Sequence, residues 1–197
     1  KNMSSETSAL LGDQKQTNYA LGGLTKEEFV KELTTGILPA PQYFAKAASQ
    51  NKKGYKSIDD IFESSMNAMS MEEMLEAQNK GVMVLDTRKE GEFSNGHIPN
   101  ALYIGLHGQF APWAGALIVD MHQPIVIVAQ EGREQEAIMR LARVGYDNVI
   151  GYLEGGYAAY AASGKAVSVV PSITPEEFKA NAPERQVLDV RKQSEYD

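Results

Sequence analysis

The middle of the chain alternates between short apolar runs and segments of helical character. The apolar runs occupy residues 82–85, 101–104, 124–129 and 148–152. Runs of this length without polar alternation are typical of strands buried on both faces of a parallel sheet. The segments 71–78, 134–144 and 157–162 favour helices, and 110–119 is expected to be a loop leading to a short helix. The alternation predicts an α/β fold, with a central parallel sheet of four or five strands flanked by helices.

The N-terminal part of the chain follows a different pattern. Residues 1–20 are polar and lack a clear period, so a loop or a mobile start is expected there. Thr25 followed by Glu28 forms a capping-box sequence, and apolar residues at helical spacing come after it. A second helix is predicted at residues 42–49, after a Pro-Ala-Pro connector. A mainly helical segment is therefore expected in front of the sheet.

One segment of the chain repeats at domain-sized spacing. The sequence Leu-Asp-Thr-Arg at 85–88 corresponds to Leu-Asp-Val-Arg at 188–191, and the predicted helix before each copy also corresponds. Self-similarity at this distance predicts tandem domains. The second copy stops after one strand, and a lone helix and strand cannot bury a core. We therefore expect the chain to be truncated at its C-terminus.

Composition narrows the chemistry that the chain can carry. It contains no cysteine, which excludes thiolate nucleophiles, disulfides, cysteine zinc sites and iron–sulfur clusters within these residues. Its three histidines, His97, His107 and His122, form no close-spaced ligand pair. The net charge of −7 argues against nucleic acid or an anionic membrane as a partner. No apolar run suits a membrane span and no signal peptide opens the chain, so a cytoplasmic location is expected.

Three ordered stretches resemble the rhodanese-like family, which has the sulfurtransferase fold. The first runs from Leu-Asp-Thr-Arg at 85–88 to Gly-His-Ile-Pro-Asn-Ala at 96–101, and is similar to the family's LDVR…GHIPGA signature. The second is the strand at 125–129, which enters a six-residue loop. The third covers 145–156 and is similar to the family's GF-x-NV…LEGG pattern. The resemblance covers about residues 70–165 and implies a rhodanese-like sheet.

The resemblance breaks at the active-site loop. In active rhodaneses a cysteine begins this loop, in a Cys-x-x-Gly-x-Arg arrangement, and accepts sulfur as a persulfide. With Gly132 setting the register, Ala129 occupies the cysteine position and Glu134 the arginine position. A methyl group cannot accept the sulfur, and the two glutamates of the loop would oppose a dianionic substrate such as thiosulfate. We therefore expect no catalytic residue in this chain and a vestigial loop made of Ala129, Gln130, Glu131, Gly132, Arg133 and Glu134.

Three residues of the matching motifs are expected to be structural. Asp86 and Arg88 lie at a strand end, where an ion pair or hydrogen bonds to the loop at 97–101 would hold the architecture. His97 is expected to bond to the backbone in a turn, and no metal ligand is assigned in this chain. Glu131 and Glu134 near a helix start also suit the helix dipole, so the loop can fold well and bind nothing.

The N-terminal residues resemble the end of a metallo-β-lactamase-fold domain, of the kind fused to rhodanese domains, which includes persulfide dioxygenases. Residues 1–11, 17–20 and 39–54 carry this resemblance. It implies iron or zinc bound upstream of Lys1 and no cofactor in this chain, and it leaves iron-dependent persulfide oxidation and zinc-dependent hydrolysis open. The two resemblances together divide the chain into the end of that domain with a linker at 1–66, a rhodanese-like domain at 67–166, and the start of a second one at 170–197.

These observations lead to three functional hypotheses. The chain is an inactive rhodanese-like module with a structural or regulatory role, which packs against its own metallo-β-lactamase-like domain beside the second rhodanese-like domain. Alternatively, it is part of a metal-dependent hydrolase or persulfide dioxygenase whose active site lies upstream of residue 1. A weaker alternative is a pocket at the loop for a cation or a neutral thiol compound. Formation of a homo-oligomer is left open, and neither nucleic acid nor a membrane is expected as a partner.

Overall fold

The computed structural model describes residues 8–35, 44, 48–49, 52, 54, 57–181, 186–191 and 196. Most of the predicted helix at 42–49 therefore lies outside the described residues. The chain divides into two compact units, Lys1–Ala40 and Pro41–Asp197. No helix in the described ranges combines the length and the apolar character that crossing a bilayer requires.

The first unit contains short exposed helices. They are α1 (Leu11–Thr17), a 3-10 turn (Tyr19–Leu21) and α2 (Lys26–Thr34). The predicted capping box starts α2: the Thr25 N–H donates to Glu28 Oε2 over 2.9 Å, and the Glu28 N–H donates to Thr25 Oγ1 over 3.3 Å. The expectation of a loop in this region is wrong for α1. That helix buries none of its described residues, so no apolar period in the sequence reveals it.

The second unit is built around a parallel sheet. Helix α3 (Ile58–Ser65) precedes the first strand of the sheet. The strands of the described part are β1 (Ala68–Met69), β2 (Met83–Asp86), β3 (Leu102–Tyr103), β4 (Ile125–Val128) and β5 (Val149–Leu153). Their order in the sheet is β1-β5-β4-β2-β3, and each neighbouring pair is parallel. This confirms the predicted α/β fold, although the two residues of β1 are too few to show a period in the sequence.

The helices of this unit lie between the strands and after them. They are α4 (Met71–Asn79), α5 (Glu90–Asn95), α6 (Phe110–Leu117), α7 (Glu134–Ala142), α8 (Gly156–Ala162) and α9 (Pro175–Asn181). Helix α6 begins at Phe110 itself, so the expected loop before a short helix is wrong. Pro112 lies in the first turn of α6, where an N–H has no acceptor within the helix and its absence costs nothing.

Strand β4 divides the hydrophobic core into two layers. Ile125 and Ile127 belong to one buried cluster, which also contains Leu141, whereas Val126 and Val128 belong to another. All four strand residues are fully buried. Successive side chains of a strand point to opposite faces, so the core covers both faces of the sheet. This confirms that the strongest apolar run of the sequence is a strand buried on both sides.

The described residues of the second copy of the repeat include a capped helix and an exposed segment. The Thr174 N–H donates to Glu177 Oε2 over 2.7 Å, and the Glu177 N–H donates to Thr174 Oγ1 over 3.2 Å, so α9 starts in a capping box. Leu188 is 82% exposed, whereas its counterpart Leu85 is fully buried. Residues 186–191, all of them described, form no strand.

Candidate functional site

The loop between β4 and α7 lies at the carboxyl edge of the sheet, where open α/β folds bind their ligands. Ala129 directly follows β4; it is 4% exposed and belongs to the hydrophobic core. Gly156, at the start of α8, approaches it closely, since a Cβ at that position would lie 3.0 Å from the Ala129 carbonyl oxygen. The position expected to hold a nucleophile therefore holds a buried methyl group.

The turn of the loop depends on Gly132. Its φ of +79° lies in the left-handed region, which glycine adopts without strain. The Arg133 N–H closes the turn by donating to the Gln130 carbonyl oxygen over 2.9 Å. The Gly132 N–H donates to Glu134 Oε1 over 3.3 Å, and Glu131 is exposed beside it. A loop amide that could face a bound anion therefore already faces a carboxylate of the chain.

A long-range hydrogen bond fixes one side of the loop. Gln130 Nε2 donates to both carboxylate oxygens of Glu92, over 3.0 and 3.2 Å. Glu92 lies on α5 and also accepts from the Lys89 N–H at the start of that helix, over 3.2 Å. The same carboxylate thus joins the loop to the start of α5.

Arg133 is held on the other side of the loop, among the side chains of α7. Its Nε donates to Glu136 Oε2 over 2.9 Å, and its Nη2 forms a salt bridge with the same oxygen. Its Nη1 donates to His107 Nε2 over 3.0 Å. Arg140 completes the network, with 3.0 Å from its Nη2 to Glu136 Oε1 and 2.7 Å from its Nη1 to the Leu106 carbonyl oxygen. The hydrogen bonds of Arg133 therefore go to Glu136 on α7 and to His107.

Two ionisable groups near the loop have shifted pKa values. The hydrogen bond from Arg133 lowers the pKa of the Glu136 carboxyl, and the positive charges of Arg133 and Arg140 act in the same direction. Burial raises the pKa of the Tyr103 hydroxyl, and nearby carboxylates, chiefly that of Glu90, raise it further. Both shifts have structural causes, an ion pair in the first case and burial in the second.

Asp86 and Arg88 form a buried ion pair at the end of β2. Arg88 Nη2 lies 2.6 Å from Asp86 Oδ2, and Arg88 Nε donates to Asp86 Oδ1 over 3.0 Å. Arg88 Nη2 also donates to the Gly96 carbonyl oxygen over 2.8 Å, and the guanidinium lies 3.9 Å from the centre of the Tyr157 ring. The pair connects the strand to the turn after α5 and to α8.

The histidines lie in separate places. His97 Nδ1 donates to the Phe93 carbonyl oxygen over 2.8 Å, and the two rings stack with centroids 3.8 Å apart. The backbone of His97 also exchanges two hydrogen bonds with Ser168, at 2.9 and 3.0 Å. His122 lies in an exposed turn. Within the described ranges, no three His, Asp or Glu side chains are arranged to hold a metal ion.

The sequence did not reveal the contacts that reach the loop from a distance. Gln130 and Glu92 are 38 residues apart, and Gly156 belongs to a separate turn, so no local spacing connects either residue to the loop. The pair Arg133 and Glu136 is different. Its i, i+3 spacing is the one at which helical side chains meet, and it could have been predicted.

Comparison with known proteins gives four matches of interest. Residues 70–163 match the family model of the rhodanese-like domain. The thiosulfate sulfurtransferase GlpE of Shewanella oneidensis is 31% identical over 99 residues, which cover 49% of this chain and 94% of that protein. A crystal structure of a metallo-β-lactamase from Staphylococcus aureus is similar with a TM-score of 0.56 and 22% identity, over 73% of this chain and 39% of that chain. The chain thus spans well under half the length of the staphylococcal protein. A rhodanese-like domain from Anabaena sp. is 20% identical with a TM-score of 0.42, over 48% of this chain and 98% of that one.

Proposed function

Because the chain belongs to the rhodanese-like family, we propose that its domain at 67–166 has lost sulfur transfer and serves a structural or regulatory role. The role would be played within a metallo-β-lactamase-fold enzyme of sulfur metabolism. The relative from Shewanella is a thiosulfate sulfurtransferase. The activity that would have been lost is therefore the transfer of a sulfur atom from thiosulfate to an acceptor.

The identity of residue 129 carries this proposal. Sulfur transfer through a persulfide needs a thiolate at the start of the loop, because the thiolate is the group that attacks the donor sulfur. Ala129 supplies a buried methyl group there, and the chain contains no cysteine that could replace it.

The charges of the loop support the same proposal. The Glu134 carboxylate accepts the hydrogen bond of the Gly132 N–H, and Glu131 adds a second carboxylate, which is exposed. Arg133, the cation of the loop, is engaged by Glu136 and His107. A dianion approaching the loop would meet two like charges and an amide that already has an acceptor.

A sulfur-transfer assay tests the proposal. The protein is incubated with thiosulfate and cyanide, and the thiocyanate formed is measured, with the Shewanella enzyme as the positive control. We expect thiocyanate at the rate of the protein-free blank. Turnover above the blank that scales with protein concentration would overturn the proposed loss of activity.

The proposed division into domains is supported by how far the staphylococcal likeness extends. The match to the family model of the rhodanese-like domain is confined to residues 70–163. The match to the metallo-β-lactamase structure is longer and covers 73% of the chain. The likeness therefore includes residues outside the rhodanese-like domain. We propose that residues 1–66 belong to the end of a metallo-β-lactamase-like domain and that 170–197 begin a second rhodanese-like domain.

Limited proteolysis of the chain, between the proposed segments 1–66, 67–166 and 170–197, tests the structural role. If the rhodanese-like module packs against its neighbours, fragments produced by cleavage between domains should still co-elute in gel filtration. Separate elution of the rhodanese-like fragment, with its fold intact by circular dichroism, would contradict a structural role.

The alternative function is that of a metal-dependent hydrolase or persulfide dioxygenase whose active site would lie upstream of Lys1. Iron or zinc would activate water or oxygen there. The described residues of this chain offer no matching ligand cluster, so no step of that chemistry is assigned to them. An HxHxDH sequence in the polypeptide before Lys1 would support the alternative, and its absence would remove it.

A further inference from the structure

A shallow cavity lies beside the network of Arg133 and Glu136, between the start of α6 and the end of α7. Its volume is about 250 Å³. That is slightly below the ~300–1,000 Å³ of sites that enclose drug-sized ligands, so it suits a smaller molecule. Its lining includes four apolar side chains and two arginines: Phe110, Ala111, Pro112, Val144, Arg140 and Arg143.

The charge of the cavity lining is positive in a chain of net charge −7. None of the described lining residues is acidic. Arg140 is partly neutralised by Glu136, whose carboxylate is shared with Arg133. Arg143 is exposed and directly follows the last residue of α7. An exposed guanidinium group beside apolar side chains can bind a carboxylate through charge-assisted hydrogen bonds while the body of the ligand contacts the apolar lining.

We propose that this cavity binds a small organic acid, with its carboxylate at Arg143, near the positive charge of Arg140, and its apolar part against Phe110 and Val144. The site is separate from the loop at 129–134, and the proposal does not depend on whether that loop transfers sulfur. A single-ring carboxylate is the simplest molecule with both features. A neutral molecule of the same shape would lack the charge-assisted bonds and should bind more weakly.

The experiment is an NMR titration of the full chain with benzoate, and benzyl alcohol serves as the neutral probe of similar shape. We expect benzoate to shift the backbone amides of residues 108–111 and 143–144 with a dissociation constant of about 1 mM. Benzyl alcohol should shift them little over the same range. Raising the ionic strength should weaken benzoate binding, because salt screens exposed charges.

Two variants make the test specific. Arg143→Gln should weaken benzoate binding about fivefold to tenfold, since one charge-assisted contact is lost. Arg191→Gln, the same chemical change at an exposed position outside the cavity, should leave the binding unchanged. Equal affinity for benzyl alcohol, an unchanged affinity in Arg143→Gln, or no shift of the cavity amides at about 20 mM benzoate would each overturn the proposal.

Discussion

At the scale of single residues, the chain contains the same ion pair in two environments. Asp86 with Arg88 and Asp189 with Arg191 show the same 2.6 Å distance from Nη2 to Oδ2. The geometry is set by the i, i+2 spacing and forms without tertiary packing. Burial differs: the first pair is almost fully enclosed, whereas the side chains of the second are 38% and 55% exposed. Burial therefore decides what each pair contributes to stability.

Neutralising one partner should reveal that difference. Asp86→Asn leaves the Arg88 guanidinium buried without its counter-charge, so we expect the free energy of unfolding to fall by about 3–5 kcal/mol. Asp189→Asn is the matched control and should leave the urea midpoint nearly unchanged, because solvent compensates an exposed charge. Equal effects of the two substitutions would show that the buried pair does not hold the end of β2 in place.

At the scale of secondary-structure elements, capping explains where several helices begin. Ser70 and Glu73 exchange hydrogen bonds at the start of α4, from the Ser70 N–H to Glu73 Oε2 over 2.8 Å and from the Glu73 N–H to Ser70 Oγ over 3.2 Å. The backbone bond from Ser70, and then its hydroxyl, lower the pKa of the Glu73 carboxyl. Such boxes are short sequence patterns, which is why the start of α2 could be predicted.

The lowered pKa of Glu73 predicts a dependence of stability on pH. Its contribution is fully present above the pKa of the unfolded chain, near 4.5, and is lost as the pH falls through the lower folded pKa. Glu73→Gln should therefore reduce the urea midpoint at pH 7 and change it less at pH 3. Glu72→Gln, in the same helical turn, is the control. A loss in Glu73→Gln that is the same at both pH values would contradict this origin.

The turn between β5 and α8 packs closely against the start of the loop at 129–134. Gly156 has a φ of +55° and faces the Ala129 carbonyl oxygen, whereas Gly164 has a φ of +72° with nothing within 4 Å of its ideal Cβ position. An alanine at either position costs about 1–2 kcal/mol of backbone strain. Gly156→Ala should cost more than Gly164→Ala in urea unfolding, because its added Cβ would also crowd the Ala129 carbonyl oxygen. Equal losses of stability in the two variants would show that the loop moves aside without an energetic cost.

At the scale of the whole molecule, the architecture could be predicted because its signals are local. The run at 124–129 gave β4 within a residue or two of its ends, and the i, i+2 spacing of Asp86 and Arg88 suggested their pairing. Helix α1 could not be predicted because it buries nothing, and β1 was too short to show a period. The contact of Gln130 with Glu92 depends on the assembled sheet, so the sequence offered no signal for it.

The same contrast in burial predicts how the chain exchanges its amide hydrogens. Strand β4 is fully buried and paired on both sides, so its amides should exchange only on global unfolding. Helix α2 buries no described residue, and helices of its length are marginal alone, so its amides should show less than about tenfold protection. Protection of α2 equal to that of β4 would contradict this expectation.

The most direct test of the proposed loss of sulfur transfer is to restore the missing groups. Thiocyanate formation from thiosulfate and cyanide is measured for the unaltered chain, for Ala129→Cys, and for Ala129→Cys combined with Glu134→Arg, with circular dichroism to confirm folding. We expect no turnover in the unaltered chain, little in the single variant, and clear turnover in the double variant, because a thiolate and a cation are both required. Turnover by the unaltered chain, or a folded double variant that remains silent, would contradict the claim that these two positions account for the loss.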